Sequence, residues 1–132
     1  MHAKGTFEVK MAPQPAQEGV GDASIGRMAL DKQYSGDLEA TAKGQMLATR
    51  SPVEGSAGYV ALERISGALH GRRGEFALQH NGTMTRGVPQ LTVTVVPDSG
   101  TGELLGLAGT LTITQTDGKH FYDIEYTLPD AG

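Results

Sequence analysis

An alternation of apolar and polar residues recurs along the whole chain and constrains the fold more than any other feature. Phe7, Val9 and Met11 are each separated by one polar residue, which is the pattern of a strand with one buried face. This first strand is expected to end before Pro13, because proline donates no ladder hydrogen bond. Comparable runs cover residues 5–11, 25–34, 38–49, 58–69, 76–84, 91–96, 109–116 and 120–128. No run has a long helical period, so the sequence predicts an all-β fold of about eight strands.

Short turn signals separate several of these runs. Ser35-Gly36-Asp37 joins the second run to the third, and Asp117-Gly118 joins the last two. Both are typical of hairpins. Hairpins between neighbours favour a closed antiparallel up-and-down barrel over a sandwich, and closure also removes exposed strand edges. The length of 132 residues fits one domain, residues 1–132, and a barrel of about eight strands encloses packed side chains or one small ligand.

One run does not define its own inner face. Between residues 58 and 69 both alternating sets are partly apolar, so the pattern leaves open whether Glu63 or Arg64 points inward. A helix over residues 60–69 also fits the composition. The glycine-rich turn expected at residues 71–74 favours a strand in a hairpin.

Composition and charge exclude several classes of function. The 15 acidic residues outnumber the 11 basic ones, and the basic residues are scattered apart from Arg72-Arg73. No basic stripe is present to neutralise phosphates, so we expect no nucleic-acid partner. The absence of cysteine removes disulfides, thiolate metal sites and cysteine nucleophiles.

Motifs for cofactors, metals and membranes are also missing. The four histidines lack the helical His-Glu spacing of a metal site, Gly100-Thr101-Gly102 is not followed by the lysine of a phosphate loop, and there is no nucleophile elbow. The first residues lack the apolar segment of a secretory signal, and no run approaches the roughly 20 apolar residues that span a bilayer. We therefore expect a soluble cytoplasmic protein with no cofactor, no metal and no membrane partner.

Residues 96–110 link two apolar runs through a glycine-rich segment. It reads Val-Pro-Asp-Ser-Gly-Thr-Gly-Glu-Leu-Leu-Gly-Leu-Ala-Gly-Thr, and its four glycines suit sharp turns or close backbone approach. We interpret it as a hinge between two barrel strands. With Val95 before it, the segment resembles the strand-hinge-strand signature of allene oxide cyclase-like barrels, and above all a bacterial branch that is a domain family of unknown function. Residues 71–80 and 120–126 resemble that branch too, whereas the first half of the chain does so only loosely.

The resemblance implies a barrel with a central cavity that assembles into oligomers. Dirigent proteins and bacterial spirotetronate cyclases have similar glycine-rich hinges, and they steer the coupling or cyclisation of reactive hydrophobic intermediates. In the plant cyclase, a glutamate on the first strand assists ring closure. Glu8 lies on that strand here, but its parity is opposite to that of Phe7 and Val9, so the role is not transferred to Glu8.

Two titratable residues are candidates for catalysis. His80 shares its parity with Phe76 and Leu78, so its imidazole is expected to project into the barrel, where it could transfer a proton near neutral pH. Glu63 shares its parity with Tyr59 and other apolar residues, and burial on that face would raise the pKa of its carboxyl. Each residue also fits a structural role, as a hydrogen-bonded core histidine or, for Glu63, a solvated carboxylate on the outside.

Seven further residues are candidates for binding a ligand. Four tyrosines offer phenol donors on apolar rings, which suits a hydrophobic molecule with a few oxygens, although core packing is the commoner use of such rings. The full set is Tyr34, Met46, Tyr59, Phe76, Leu78, Tyr122 and Tyr126.

The sequence thus favours a barrel that binds a small hydrophobic molecule. As an enzyme it would be a cyclase or isomerase without a cofactor, with Glu63 or His80 assisting protonation. The alternatives are a non-catalytic carrier or sensor of a hydrophobic ligand, and an interaction module whose outer face forms a homo-oligomer.

Overall fold

The computed structural model describes residues 1–15 and 18–129. Its strands are β1 (His2–Gln14), β2 (Ile25–Gly36), β3 (Leu38–Arg50), β4 (Ala57–Leu69), β5 (Arg72–Thr85), β6 (Val88–Val95), β7 (Ala108–Thr116) and β8 (Lys119–Thr127). A 3-10 turn, Gly102–Leu104, lies between β6 and β7. In the described ranges no helix is long and apolar enough to cross a membrane.

The eight strands form a closed antiparallel up-and-down barrel, as predicted. Each strand pairs with its neighbours in sequence, and β1 also pairs with β8 from His2↔Glu125 to Phe7↔His120. Asp117 and Gly118 have φ values of 53° and 76°, the left-handed backbone that a two-residue hairpin turn requires. The pairing of β6 with β7 consists of Thr94↔Thr110, so the barrel is joined most weakly there.

The structure settles which face of β4 lines the barrel. The whole segment is a strand, not a helix, and Ala61, Glu63 and Ile65 are buried while Val60, Leu62 and Arg64 are exposed. The same alternation places Glu8 outside the barrel, opposite the buried Phe7. Both ionisable candidates, Glu63 and His80, therefore lie on inward-facing positions of their strands and are buried.

Two expected boundaries were wrong. Pro13 lies within β1 and pairs with Met28; the ladder to β8 ends at Phe7, so Pro13 occupies an edge where a missing N–H is tolerated. The turn expected at residues 71–74 is complete by Gly71, because His70 and Gly71 both have positive φ. Strand β5 therefore begins at Arg72.

The glycine-rich segment between β6 and β7 closes one end of the barrel. Beyond β6 it continues along β5, where the N–H groups of Val96 and Thr101 donate to the carbonyls of Ala77 and Glu75. It then turns Leu104 and Leu107 into the core, where they are 1% and 2% exposed. The segment joins two barrel strands, as predicted, and it also plugs the barrel; we call this side of the barrel the closed end.

A single glycine on β5 allows the plug to sit this tightly. A Cβ atom built on Gly74 would lie 2.0 Å from the carbonyl oxygen of Thr101, which is far inside van der Waals contact. Any other residue at this position would push the plug away from β5.

We expect Leu104→Ala to lower the free energy of unfolding by about 2–5 kcal/mol, because it opens a cavity in a packed end of the barrel. The matched control is Leu105→Ala, since the neighbouring leucine is 72% exposed and its loss should change stability by less than about 0.5 kcal/mol. Urea unfolding of the three proteins measures both. Equal effects at the two leucines would show that the segment does not plug the barrel.

Candidate functional site

Four polar side chains meet inside the barrel, and we call them the buried cluster: Lys32, Tyr34, Glu63 and His80. They come from β2, β4 and β5 and all point inward. Strand β3 lies between β2 and β4, and opposite Lys32 and Glu63 it carries only Ala42 and Gly44. These small residues leave room for the lysine and the glutamate to meet across β3.

Gly44 is essential to this arrangement. A Cβ atom on Gly44 would lie 2.9 Å from the Cβ of Glu63 and 2.1 Å from the carbonyl oxygen of Leu62. Strands β3 and β4 therefore approach each other so closely at this point that only glycine fits beside the glutamate.

Glu63 is the centre of the buried cluster. Its Oε2 atom accepts hydrogen bonds from Lys32 Nζ and His80 Nε2, both at 2.7 Å, and its Oε1 accepts from the Tyr34 hydroxyl. The side chains of Glu63, Lys32 and His80 are 1%, 7% and 5% exposed. Charged groups this deeply buried persist only when they are paired and hydrogen-bonded.

The pKa of Glu63 is lowered, whereas the sequence had led us to expect it raised. Burial is the largest single influence and would raise the pKa. The hydrogen bond from His80, the charge and hydrogen bond of Lys32, and the hydroxyl of Tyr34 together outweigh it. Glu63 is therefore an ionised carboxylate at neutral pH and a poor general base.

Tyr34 is held as a neutral donor. Burial, the charge of Glu63 and the hydrogen bond to Glu63 raise the pKa of its phenol well above 10.0. The hydroxyl thus stays protonated and donates a hydrogen bond to the carboxylate. The hydroxyl of this tyrosine, which is a predicted ligand contact, is directed at Glu63.

His80 is oriented by Glu63. An ionised carboxylate only accepts hydrogen bonds, so the proton of the imidazole is on Nε2 and the lone pair is on Nδ1 when the ring is neutral. Within the described residues Nδ1 has no hydrogen-bond partner, yet no buried side-chain nitrogen or oxygen there is unsatisfied. Nδ1 therefore retains some accessible surface.

Lys32 is the member of the buried cluster that the sequence analysis missed. Its ammonium lies 4.9 Å from the centroid of the Phe7 ring and 5.8 Å from that of Tyr34, within the range of cation–π attraction. The alternation of β2 already indicated that Lys32 faces inward, because it falls between Leu30 and Tyr34 on the same face. The sequence analysis did not assign Lys32 to that face because it is charged.

At the other end of the barrel, apolar side chains on the inward-facing parity remain partly exposed. Met11, Met84 and Leu91 are 56%, 40% and 39% exposed. The full lining, which we call the open end, comprises Met11, Met28, Met46, Tyr59, Met84 and Leu91. It contains four of the five methionines of the chain, and methionine is the side chain that adapts most readily to differently shaped ligands.

The predicted ligand-binding residues divide between the two ends. Met46 and Tyr59 belong to the open end, while Phe76 and Leu78 are fully buried in the core. Tyr122 is at the closed end, where its hydroxyl accepts from the Leu38 N–H and donates to the Ser35 carbonyl, both at 2.9 Å.

Tyr126 is also bound within the protein, through a hydrogen bond between its hydroxyl and His70. The structure thus does not bring the last two tyrosines to the open end. Among residues 1–15 and 18–129, no three His, Cys, Asp or Glu side chains lie together as a metal site would require.

A second concave surface lies on the outside of the barrel. This outer groove has a volume of about 1040 Å³ and crosses the outer face of β3, β4 and β5. Exposed Leu47, Val60 and Leu62 form its apolar part, and Arg27 and Lys43 lie at its margin. It competes with the open end as a place for a hydrophobic partner.

Comparison with known proteins identifies the family. Residues 3–126 match the family described as "Protein of unknown function (DUF3224)". The chain belongs to the DUF3224 family. The predicted membership of a bacterial domain family of unknown function is thus confirmed, and the search of curated proteins finds no match.

A solved structure of the same family supports the fold. A DUF3224 protein of unknown function from Shewanella oneidensis MR-1 is 45% identical to this chain, with a TM-score of 0.89, and the alignment covers 98% of each chain. The DUF3224 barrel described above is therefore an architecture that a relative also adopts.

In this DUF3224 barrel, we expect Glu63→Gln to lower the free energy of unfolding by about 3–5 kcal/mol, because it leaves Lys32 charged and unpaired in the interior. Adding Lys32→Met should restore most of the lost stability, because it removes the unpaired charge while the glutamine still accepts the hydrogen bond from the Tyr34 hydroxyl. The control is Glu75→Gln, which breaks the exposed pair with Arg64 and should cost no more than about 1 kcal/mol. Chemical denaturation measures each step, and a double variant as unstable as Glu63→Gln would contradict the pairing.

The same glutamate should make stability depend on pH. Because the folded-state pKa of Glu63 lies below its ordinary value of 4.5, its contribution is complete above that value and is lost as the pH falls through the lower folded-state pKa. The stability difference between the wild type and Glu63→Gln should therefore shrink below about pH 4.5. Urea unfolding at a series of pH values tests this, and a constant difference down to the acid limit would refute it.

Proposed function

We propose that this DUF3224 protein binds a small hydrophobic molecule in the open end of its barrel. The observation that carries the proposal is the exposure of inward-facing apolar side chains, above all Met11 and Met84 at 56% and 40%. Exposed apolar surface on the concave side of a sheet gains free energy when a ligand covers it. The closed end offers no equivalent surface, because Leu104 and Leu107 fill it.

The buried cluster gives this binding site a polar floor. Ala61 and Gly82 lie on the inner face of β4 and β5, between the lining side chains of the open end and the buried cluster, and the Tyr59 ring packs over Gly82. Apolar walls with a few convergent polar groups are the usual composition of a small-molecule site. The ligand favoured here is apolar with one or two oxygens.

A catalytic version of this function is a cofactor-independent isomerase or cyclase. The specific observation in its favour is the pair of Glu63 and His80, in which the carboxylate holds Nε2 at 2.7 Å and Nδ1 is unoccupied by described residues. A carboxylate that orients an imidazole and stabilises its protonated form is a recurrent device of acid–base catalysis. His80 would be the acid or base, and Glu63 would position it.

A non-catalytic carrier or sensor is the alternative at the same site. A third function, a homo-oligomeric interaction module, would use the exposed Leu47, Val60 and Leu62 of the outer groove. The location of the bound ligand separates the first two functions from the third.

Titration with the neutral fluorescent dye Nile red tests the proposal. We expect saturable binding to the wild type, because the dye fluoresces more strongly in an apolar site. Met84→Glu should weaken binding at least tenfold by adding a charge at the open end. Leu47→Glu is the matched control: its residue has similar exposure, 46% against 40%, but lies in the outer groove, so affinity should be unchanged.

The opposite pattern would overturn the proposal. If Leu47→Glu loses the dye and Met84→Glu retains it, the apolar site is the outer groove. If the wild type shows no saturable binding, the open end is not a hydrophobic site at all.

A further inference from the structure

The charge balance of the buried cluster limits what the open end accepts. Lys32 carries one positive charge and Glu63 one negative charge, while Tyr34 stays neutral. These three side chains together therefore have no net charge. An anionic ligand would face Glu63, and a cationic one would face Lys32, in surroundings where such repulsion is weakly screened. The resting site suits an uncharged molecule.

Lys32 has hydrogen-bonding capacity left over. An ammonium has three N–H donors, and within the described residues one is used, on Glu63. The remaining donors lie beside the rings of Phe7 and Tyr34, where an oxygen atom of a ligand could replace weaker cation–π contact.

The unused donors of Lys32 and the free Nδ1 of His80 belong to neighbouring side chains. Lys32 Nζ and His80 Nε2 each lie 2.7 Å from the same oxygen of Glu63, so the two nitrogens are within twice that distance of each other. One group donates hydrogen bonds to oxygen and the other accepts a proton. Nδ1 is the other nitrogen of that imidazole ring, so a ligand that uses both groups has to extend from Lys32 across the ring.

From this juxtaposition we propose that the open end takes a neutral apolar carbonyl compound and that His80 removes a proton from the carbon next to the carbonyl, giving an enolate whose oxygen is held by Lys32. The C–H bond breaks, its proton moves to Nδ1, and its electron pair passes through the new C=C bond to the oxygen. Where the substrate has a C=C bond between its β- and γ-carbons, the enolate is conjugated with it, and return of the proton to the γ-carbon gives the α,β-unsaturated isomer with no oxidant or reductant. The inference rests on the proposed function and names its substrate class.

The charges of the cluster match those that this step creates. Proton transfer produces an imidazolium and an enolate together. The imidazolium lies against the carboxylate of Glu63, and the enolate oxygen lies against the ammonium of Lys32, so each new charge meets one of opposite sign already in place. Preorganised charges of this kind stabilise a transition state without rearrangement.

The probe for the oxyanion site is 2-naphthol, an aromatic stand-in for an enol whose neutral and ionised forms differ in absorbance. We expect the pKa of the bound naphthol to be at least one unit below that of the free compound. Lys32→Met should abolish this shift. Lys43→Met is the matched control, because Lys43 is 87% exposed on the outer face and should leave the shift unchanged.

The probe for proton transfer is 2-tetralone, whose exchange of the α-hydrogen for deuterium in D2O is followed by NMR. We expect the wild type to accelerate exchange at least tenfold over His80→Asn. The double variant Lys32→Met, Glu63→Gln, which leaves no unpaired charge, provides a second test of the lysine if Lys32→Met does not fold. It too should bind naphthol without a shift in pKa.

The outcomes distinguish the two proposals. Saturable Nile red binding at the open end, with unshifted or unbound naphthol or with tetralone exchange no faster than in His80→Asn, would overturn the enolisation and leave hydrophobic binding standing. Loss of saturable binding of both Nile red and naphthol would overturn the proposed function itself.

Discussion

The structure depends on one ionised carboxylate held inside a barrel of apolar strands. Removing a carboxylate from water costs several kcal/mol even after relaxation, so Glu63 requires partners from outside its own strand. It obtains them from β2 and β5 through Lys32, Tyr34 and His80. The small residues of β3 are part of the same solution, because a side chain at Gly44 would collide with Glu63.

The two ends of the barrel differ in how their apolar side chains are packed. At the closed end, the segment after β6 hydrogen-bonds to β5 and buries two leucines, and Tyr122 ties the hairpin between β2 and β3 to the core. At the other end β1 continues past Phe7, its last pairing with β8. Apolar side chains that face inward are left exposed there.

The sequence predicts most of this fold because alternation and turn chemistry are local properties. The inward face of β4 could not be predicted, since both of its parities carry apolar residues and one charge, Glu63 or Arg64. The burial of Lys32 was missed for a related reason: a lysine is buried only with a partner, and its partner is 31 residues away. The sequence predicted that the segment after β6 links two strands, but only the tertiary structure shows that Leu104 packs into the core and plugs the barrel.

The direction of the pKa shift of Glu63 could not be predicted from the sequence either, because it depends on partners from other strands. From the sequence, only the desolvation of an inward-facing glutamate could be argued, and desolvation alone gives a raised pKa and a candidate base. Three hydrogen-bond donors on two other strands reverse the direction of the shift and lower the pKa. With a lowered pKa, Glu63 is no longer a candidate base. A carboxylate that is already ionised and hydrogen-bonded stabilises positive charge on its neighbours instead. Any proton transfer at this site therefore passes to His80, whose second nitrogen is directed away from Glu63.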